Sequence, residues 1–417
     1  MRELDPYSMA DPATAGCPFE YYGAMRRGPT VHRDPGTGFY WISRHDAVVQ
    51  AALDAKSFSS QSEVILKKKY RPRAQALWDA AGMRAVDTLV TADPPEHDDY
   101  RNVGLRLFPN ETVEKITPHI VSLVNELIDS IALRGEAEFV RDFAARVPGT
   151  VVCEEFGLPR EDQPRFKDWT DAVIGLLDPG ISEDGEVELV TRLIEMFQYL
   201  DRHINRAATE MPGRVIHTLA TMMKRDGTPF SSLERSWMLL TTFVGGNETT
   251  MNMLAMGMRK IATEPALQSE LRRNPLKIPA FVEEMLRLEG SVQALLRVAA
   301  KDLVIDGVAI PKGANVVLSS GSANRDERRW SDPEEFRLDR KDGKRHLTFG
   351  YGRHSCIGMH LARRELNIAF DALLKRLRNI VLSVTASEVH QVPLPFHRAV
   401  ERLPVRFEAV PPGSSRP

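Results

Sequence analysis

A helical pattern extends from about Thr112 to Arg287 and limits the folds that this chain is able to adopt. Apolar residues recur there at spacings of three and four, and runs of β-branched residues are few. The pattern also predicts one long helix over residues 232–264, about 50 Å in length at about 1.5 Å per residue. A chain of this kind favours a mainly helical fold.

Strand-like segments are short and lie near the two ends of the chain. Two short apolar segments, residues 303–305 and 308–310, flank Asp306-Gly307. This dipeptide favours a two-residue turn, so the region is predicted to form a hairpin. The predicted strands are residues 37–42, 303–305, 308–310, 316–318 and 405–407. The expected fold class is therefore mainly α with small β-sheets (α+β).

The chain shows no internal repeat and no low-complexity linker. We therefore predict a single domain over residues 1–417, with short flexible ends at about 1–15 and 410–417. The 55 basic and 57 acidic residues nearly balance, so no nucleic acid partner is expected. The polar N-terminus and the absence of a run of about 18 apolar residues argue against a secretory signal and membrane insertion, and favour a cytoplasmic location.

The sequence contains three cysteines, Cys17, Cys153 and Cys356. This sparse, odd set provides no disulfide framework and suits a reducing compartment. No CxxC pair or HExxH motif is present, which argues against a structural zinc site. A cysteine that takes part in chemistry here therefore acts alone or with a cofactor.

The most specific segment is residues 349–358, with the sequence FGYGRHSCIG. Its first two glycines allow a tight turn that larger side chains would block. Cys356 precedes a predicted helix over residues 359–373, and the amides and dipole at a helix N-terminus stabilise a thiolate. Gly358 allows a flat ligand to approach the backbone. An ordinary buried cysteine beside a glycine turn would explain a shorter motif better than it explains this ten-residue string.

This string resembles the haem-binding signature of the cytochrome P450 family, which it matches at Phe349, Gly350, Gly352, Cys356 and Gly358. The resemblance implies a cytochrome P450 fold, with haem b between the long central helix and the helix after the cysteine loop. It implies that Cys356 is the metal ligand on the proximal side, where an anionic sulfur favours O–O cleavage. Phe349 would shield that sulfur, and the nearby His354 would contact a haem propionate.

Three further residues match propionate contacts of the family. His97 and Arg101 are four residues apart at the start of a predicted helix, so they share one face. Arg297 is the third, although Ser291-Val292 stand where the family often has proline. Arginine suits carboxylates because its guanidinium donates two parallel hydrogen bonds. The alternative is that His97 and Arg101 form a solvent-facing pair.

Glu284 and Arg287 match a buried ion pair that the family uses for structure, since positions i and i+3 lie on one helix face. A third partner usually comes from the later irregular segment. Glu335 occupies its usual place, so Arg340 and Arg325 are the two candidates. The alternative is a solvated ion pair of the common surface kind.

The middle of the long predicted helix contains Gly245-Gly246 followed by Glu248-Thr249. Adjacent glycines inside a helix are costly, so they indicate a kink or a close contact. The resemblance places Gly245 over the haem and makes Glu248 and Thr249 an acid–alcohol pair. Splitting O₂ requires two protons, which a carboxylate and a hydroxyl are able to relay. The alternative is a packing notch beside a chance surface pair.

The resemblance also indicates a substrate pocket whose lining is mostly apolar. This favours a small apolar or amphipathic organic substrate. The pocket candidates are Thr241, Val244, Gly245, Val292, Leu295 and Phe396. His397 is either a polar anchor for the substrate or a surface residue. The basic run at residues 67–73 falls in the mobile lid of the family and is either a solvated loop or a site for a substrate carboxylate.

The implied activity is a monooxygenase that inserts one atom of O₂ into such a substrate. The sequence contains no flavin or iron–sulfur module, so an external ferredoxin and an NAD(P)H-dependent ferredoxin reductase are the expected electron donors. Arginines on the thiolate side would attract an acidic partner. They are Arg106, Arg345, Arg353 and Arg363. The alternatives are a non-catalytic haem-thiolate sensor or carrier, and the same fold performing desaturation or oxidative coupling.

Overall fold

Helices make up most of the structure, which is a computed structural model of the chain and describes residues 7–62, 69–176, 180–212 and 214–410. The α-helices are α1 (Pro12–Gly16), α2 (Phe19–Arg27), α3 (His45–Leu53), α4 (Pro72–Ala80), α5 (Glu96–Leu107), α6 (Asn110–Ala132), α7 (Arg146–Glu155), α8 (Gln163–Gly175), α9 (Glu183–Glu210), α10 (Val215–Thr221), α11 (Ser232–Thr263), α12 (Pro265–Arg273), α13 (Ile278–Glu289), α14 (Ser320–Ala323) and α15 (Met359–Arg376).

The strands form three small sheets. They are β1 (Val31–Arg33), β2 (Tyr40–Ile42), β3 (Phe58–Ser59), β4 (Glu136–Glu138), β5 (Leu295–Ala299), β6 (Leu303–Ile305), β7 (Val308–Ile310), β8 (Asn315–Leu318), β9 (Leu377–Leu382) and β10 (Pro404–Ala409). The five-stranded sheet has the order β1-β2-β8-β5-β3, the second sheet has the order β4-β10-β9, and β6 pairs with β7. The expected class, mainly α with small sheets, is confirmed.

The chain divides into two compact units. The first, called here the strand unit, comprises residues 1–59, 113–148 and 248–417, and the second, the helical unit, comprises residues 60–112 and 149–247. All three sheets belong to the strand unit. The boundary falls within helix α11. That the chain behaves as one domain remains a prediction.

The hairpin predicted at Asp306-Gly307 is confirmed. β6 and β7 pair in antiparallel fashion with Ile305 opposite Val308. Both turn residues have positive φ, 48° for Asp306 and 76° for Gly307. Two consecutive positive φ angles define the turn that matches the twist of the flanking strands.

The core of the strand unit lies on the five-stranded sheet. Ile42, Val316 and Leu318 are buried there and pack with residues of α3. β2 and β8 pair in parallel, with Tyr40 opposite Val316, whereas β5 pairs with β8 in antiparallel fashion. This sheet therefore fixes β5, and with it Arg297, relative to the N-terminal strands.

The N-terminal segment from residue 7 onward is held by the buried carboxylate of Asp34. That carboxylate accepts hydrogen bonds from the Ser8 hydroxyl at 2.8 Å, the Met9 amide at 2.9 Å and the Tyr21 hydroxyl at 2.9 Å. Helix α1 follows directly. Residues 1–6 and 411–417 lie outside the described residues. The flexible ends at about 1–15 and 410–417 therefore stay a prediction.

The ion pair of Glu284 and Arg287 on α13 is buried and has Arg340 as its third partner. Arg287 donates to Glu284 at 2.7 and 2.9 Å, and Arg340 Nε donates to the same carboxylate at 3.1 and 3.2 Å. Arg325, the other candidate, instead pairs with Glu334. The solvated alternative is wrong, because both side chains of the central pair are at most 1% exposed.

Among the described residues, no helix has the length and apolar character that crossing a membrane requires.

Candidate active site

The cysteine loop is a tight turn that ends where α15 begins. Gly350 and Gly352 have φ angles of 69° and 70°, a region that favours glycine. The Cys356 amide donates to the Phe349 carbonyl at 2.8 Å, and this bond closes the loop. Cys356 is half-buried and lies three residues before Met359, the first residue of α15. The backbone therefore presents this thiol at a helix N-terminus, as the sequence predicts.

Two glycines of the cysteine loop have close neighbours, the sulfur for Gly358 and β5 for Gly350. A Cβ atom on Gly358 would lie 4.0 Å from Cys356 Sγ, so any larger side chain would occupy the space next to it. A Cβ atom on Gly350 would lie 3.4 Å from the His354 carbonyl and 3.5 Å from Leu295 Cδ1. Leu295 therefore approaches the cysteine loop from β5.

Phe349 is fixed by a charged cluster that sequence reasoning did not find. The Arg363 guanidinium lies 4.6 Å from the centre of the Phe349 ring, and the His346 ring lies 5.6 Å away. Glu283 binds both of these partners, Arg363 at 2.7 and 2.9 Å and His346 at 3.2 Å. No local sequence pattern signals the cluster, because Glu283 is separated from the other members by more than 60 residues.

Burial and hydrogen bonding together shift the pKa values of Glu283 and His346. Desolvation raises the pKa of Glu283, but the hydrogen bonds from His346 and Arg363 outweigh it and lower that pKa to about 2. Desolvation also lowers the pKa of His346. Arg363 is engaged by Glu283 inside the strand unit, and its role towards an acidic partner stays a prediction. Arg345 and Arg353 are exposed.

The predicted propionate contacts fall in both units. Arg297 is 5% exposed on β5, where its Nη1 donates to the Leu296 carbonyl at 2.7 Å. His354 lies in the short turn Gly352–His354 of the cysteine loop. In the helical unit, His97 is fully buried and Arg101 is half-buried, one turn apart on α5. Because His97 is buried, these two residues do not form a solvent-facing pair.

The two adjacent glycines of α11 have different surroundings. A Cβ atom on Gly246 would lie 3.2 Å from Val152 Cγ2, so this position is a close contact with α7. Gly245 is exposed, and a Cβ atom there would meet no heavy atom within 4 Å. The helix is continuous from Ser232 to Thr263. The sequence left a kink and a close contact as alternatives for these glycines. The close contact therefore holds for Gly246, whereas Gly245 faces open space.

The acid–alcohol pair follows directly on α11. Glu248 and Thr249 are half-buried, and the neighbouring Asn247 and Thr250 are buried. Earlier on the helix, the Thr241 hydroxyl donates to the Trp237 carbonyl at 2.9 Å. That bond directs the hydroxyl to the helix backbone. Val244, the next pocket candidate, is half-buried.

The pocket candidates of the strand unit lie on two adjacent segments. Val292 and Leu295 are half-buried, and the Phe396 carbonyl accepts from the Gln293 amide at 2.8 Å. The Phe396 ring stacks on Trp41, with 6.0 Å between ring centres and 24° between planes. This stacking holds the Phe396 ring against β2 of the five-stranded sheet.

Two residues of the basic run, Arg71 and Arg73, are tied to the start of α9. Arg71 Nη1 donates to the Ile181 carbonyl at 2.6 Å, and the Arg71 amide donates to Glu186 at 2.7 Å. Arg73 pairs with Asp184 at 2.7 Å. The Arg71 guanidinium is therefore engaged by a backbone carbonyl, and the Arg73 guanidinium by a carboxylate. Lys67 and Lys68 lie outside the described residues.

Comparison with known proteins decides the family. The family model described as Cytochrome P450 matches residues 64–393, which is more than half of the chain. The chain belongs to the cytochrome P450 family. The monooxygenase PikC of Streptomyces venezuelae is 34% identical over 398 residues, covering 94% of this chain and 92% of the relative. Cytochrome P450 CYP107DY1 of Priestia megaterium is 31% identical, covering 86% and 90%.

Solved cytochromes P450 share the fold. The structure of cytochrome P450 CYP109Q5 from Chondromyces apiculatus superposes with a TM-score of 0.85 at 28% identity, covering 97% of this chain and 98% of that one. Family membership makes the protein a haem-thiolate monooxygenase. Its reaction therefore requires haem, O₂, a small organic substrate and a redox partner.

The residues present fit a haem. Gly358 places no side chain beside Cys356 Sγ, where a planar macrocycle would have to approach. Thiolate sulfur is an established ligand of haem iron in this family. Arg297 offers a buried guanidinium, a group that favours a carboxylate partner such as a propionate.

Proposed function

We propose that this cytochrome P450 holds haem b through Cys356 and hydroxylates a small apolar or amphipathic organic molecule. Electrons would come from an external ferredoxin and an NAD(P)H-dependent ferredoxin reductase. The observation that carries the proposal is the cysteine loop, closed by the Cys356–Phe349 backbone bond and placed at the N-terminus of α15. The sequence has no CxxCH motif for covalent haem attachment, which favours the b type.

Cys356 is in a position that stabilises a thiolate. The positive end of the α15 dipole lies three residues away, and an anion there is favoured by about 0.3–1 kcal/mol. The Phe349 ring, held by Arg363 and His346, would exclude water from the sulfur. When bound, the haem supplies the chemistry of O₂ activation and C–H oxidation.

Four residues would hold the propionates. Arg297 and His354 lie in the strand unit, and His97 and Arg101 lie one turn apart on α5. Each offers at least one N–H donor to a carboxylate, and arginine offers a bidentate fork.

Glu248 and Thr249 are proposed to supply protons. Hydroxylation converts the substrate, O₂, two electrons and two protons into the hydroxylated product and water. A half-buried carboxylate such as Glu248 is able to exchange protons with solvent and pass them inward. The Thr249 hydroxyl is next on the same helix. It would donate its proton at the reacting oxygen and then take a second proton from the Glu248 carboxylate. A sensor or carrier has no need of this pair.

The pocket lining and the partner surface complete the proposal. Thr241 would present its methyl group, because its hydroxyl bonds the helix backbone. Val244, Val292 and Leu295 add apolar surface, which favours an apolar substrate. For the ferredoxin, the exposed arginines next to the cysteine loop would supply positive charge to an acidic partner.

The decisive experiment is the ferrous–CO difference spectrum of the purified, haem-loaded chain. We expect the red-shifted Soret band of thiolate-ligated haem. Failure to incorporate haem under adequate haem supply would refute the proposal. A band at the shorter wavelength of non-thiolate haem in freshly prepared protein would refute the role of Cys356.

Thr249→Ala is expected to keep the haem and the CO band but to lose proton delivery. With a substrate selected by its spin-state shift, product formation should fall about 100-fold, since general acid catalysis contributes about 10²–10⁴-fold. NAD(P)H oxidation should continue and release hydrogen peroxide. Product, NADPH and peroxide are measured in the same reaction.

Thr263→Ala is the matched control for this variant. Thr263 is exposed at the end of the same helix, and its hydroxyl donates to the Arg259 carbonyl at 2.9 Å. It should leave the ratio of product to NADPH unchanged. Tightly coupled turnover in Thr249→Ala would count against the proton-relay role.

A further inference from the structure

The carboxylate of Glu283 connects three segments of the strand unit beside the cysteine loop. Glu283 lies on α13 and accepts two parallel hydrogen bonds from Arg363 of α15, from Nε at 2.7 Å and from Nη2 at 2.9 Å. It also accepts a bond of 3.2 Å from His346 Nε2. Because two parallel bonds fix both the position and the plane of a guanidinium, Glu283 determines where the positive charge of Arg363 lies.

The hydrogen bonds of His346 define the charge of this cluster. The Thr348 amide donates to His346 Nδ1 at 3.2 Å, so Nδ1 carries a lone pair and Nε2 carries the proton that is donated to Glu283. The ring is therefore a neutral imidazole, in agreement with a pKa that burial lowers. The cluster contains one anion, Glu283, and one cation, Arg363. Removal of either one leaves the other without its opposite charge.

Arg363 and Cys356 both contact Phe349. The Arg363 guanidinium lies 4.6 Å from the centre of the Phe349 ring, a distance at which a cation is attracted to the ring face. The Phe349 carbonyl accepts from the Cys356 amide at 2.8 Å. Arg363 is also the fifth residue of α15, about 6 Å beyond the first along the helix axis. A single residue, Phe349, therefore connects the cation with the residue that carries the thiol.

The cluster is buried deeply enough for its charges to act on the thiol. The Glu283 side chain is 8% exposed and the Arg363 side chain is 21% exposed. Salt screens buried and partly buried charges much less than exposed ones. An exchange of either charged side chain for a neutral one therefore changes the electrostatic potential at Cys356.

We propose that Glu283 and Arg363 are positioning residues for the Cys356 thiolate, in which Glu283 fixes Arg363 against Phe349 and the balance of their charges sets the reduction potential of the haem iron. The inference rests on the proposed function, in which Cys356 holds that iron. One-electron reduction adds a negative charge at the iron and its thiolate. A nearby cation favours this step and a nearby anion opposes it.

The test measures the reduction potential of the haem-loaded full chain by dye-mediated titration, without any redox partner. Glu283→Gln leaves the Arg363 cation uncompensated and should raise the equilibrium constant for reduction about tenfold, or about 59 mV for one electron. Arg363→Gln leaves the anion uncompensated and should lower this constant by a similar factor. Arg363→Lys keeps the charge, and the double variant Glu283→Gln/Arg363→Gln removes both charges. Both should stay within about threefold of the wild-type constant.

Arg364→Gln and Glu114→Gln are the matched controls. Arg364 is the next residue of α15, and its Nη1 donates to Glu114 at 3.2 Å in an exposed pair. Solvent screens such a pair, so each control should leave the constant within about twofold of the wild-type value. Because no partner protein is present, a role of Arg363 in partner docking does not affect the readout.

A structural role alone would give a different pattern. Shifts of the same sign in Glu283→Gln and Arg363→Gln would indicate a loosened cysteine loop and overturn the inference. A constant in Arg363→Gln that matches the controls would overturn it as well. If Glu283→Gln fails to fold, the comparison of Arg363→Gln with Arg363→Lys decides, and equal shifts or equal loss of the red-shifted band in these two would exclude a role of the charge.

Failure of the proposed function is recognised separately. The ferrous–CO band is recorded on the same samples as the potential. Its absence from the wild-type chain would refute thiolate ligation by Cys356, whereas the inference about Glu283 and Arg363 is judged on samples that keep the band.

Discussion

Cys356→Ala is expected to lose the thiolate-type ferrous–CO band completely, together with all monooxygenase turnover. The reason is chemical, because alanine offers no ligand and no neighbouring residue of the loop provides a sulfur. Cys356→His serves as a second variant, since imidazole also binds haem iron. It should retain haem and give the shorter-wavelength band. Haem content and the CO difference spectrum are measured on each protein.

The other two cysteines are the matched controls for this prediction. Cys17 is exposed, and burial raises the pKa of the Cys153 thiol to about 12, so that thiol stays neutral at pH 7. Cys17→Ala and Cys153→Ala should both keep the red-shifted band. A full red-shifted band in Cys356→Ala would show that another sulfur holds the iron.

Glu284→Gln is expected to lower the free energy of unfolding by about 3–5 kcal/mol, the effect typical of breaking a buried ion pair by removing one partner. The Glu284 carboxylate accepts hydrogen bonds from Arg287, Arg340 and the Arg337 amide. Its neutralisation leaves two buried guanidinium groups without their anion. Urea unfolding of the haem-loaded chain, followed by far-UV circular dichroism, measures the loss.

Two further variants keep this prediction testable if Glu284→Gln fails to fold. Arg340→Gln leaves the Glu284–Arg287 pair intact and should cost about 1.5–3 kcal/mol, the range for a hydrogen bond to a charged group. Glu270→Gln removes the partner of Lys277 at the surface, where such pairs contribute at most about 1 kcal/mol. Equal losses for Arg340→Gln and Glu270→Gln would contradict the structural role of the buried cluster.

The third partner of Glu284 could not be identified from the sequence. Arg325 and Arg340 were equal candidates, since both lie in an irregular segment without periodicity. Arg325 instead pairs with Glu334 and stacks over Phe19 at 4.0 Å. The choice depends on contacts between segments that are distant in the chain, and no local pattern records them.

The candidate site likewise combines local features, which the sequence predicts, with contacts between segments that are distant in the chain. The turn at Gly350 and Gly352, the start of α15 and the extent of α11 follow from the residues themselves, because positive φ and helix periodicity are local properties. The Glu283 cluster that fixes Phe349 was not predicted, since its members meet only after the chain folds. Strand pairing also places His397 on the face that carries Val292, which no local pattern records, and the pocket role of Phe396 stays a prediction.

Four properties could be predicted from the sequence: the family, the mainly helical class, the hairpin at Asp306-Gly307 and the cysteine loop. Each depends on contiguous residues whose backbone preferences or turn geometry act locally. Only the tertiary structure decided the parallel pairing of β2 with β8, the partners of Glu284 and the orientation of His397. These features arise where segments up to about 280 residues apart come into contact, and burial and complementary charge at that contact select among side chains that the sequence pattern leaves equivalent.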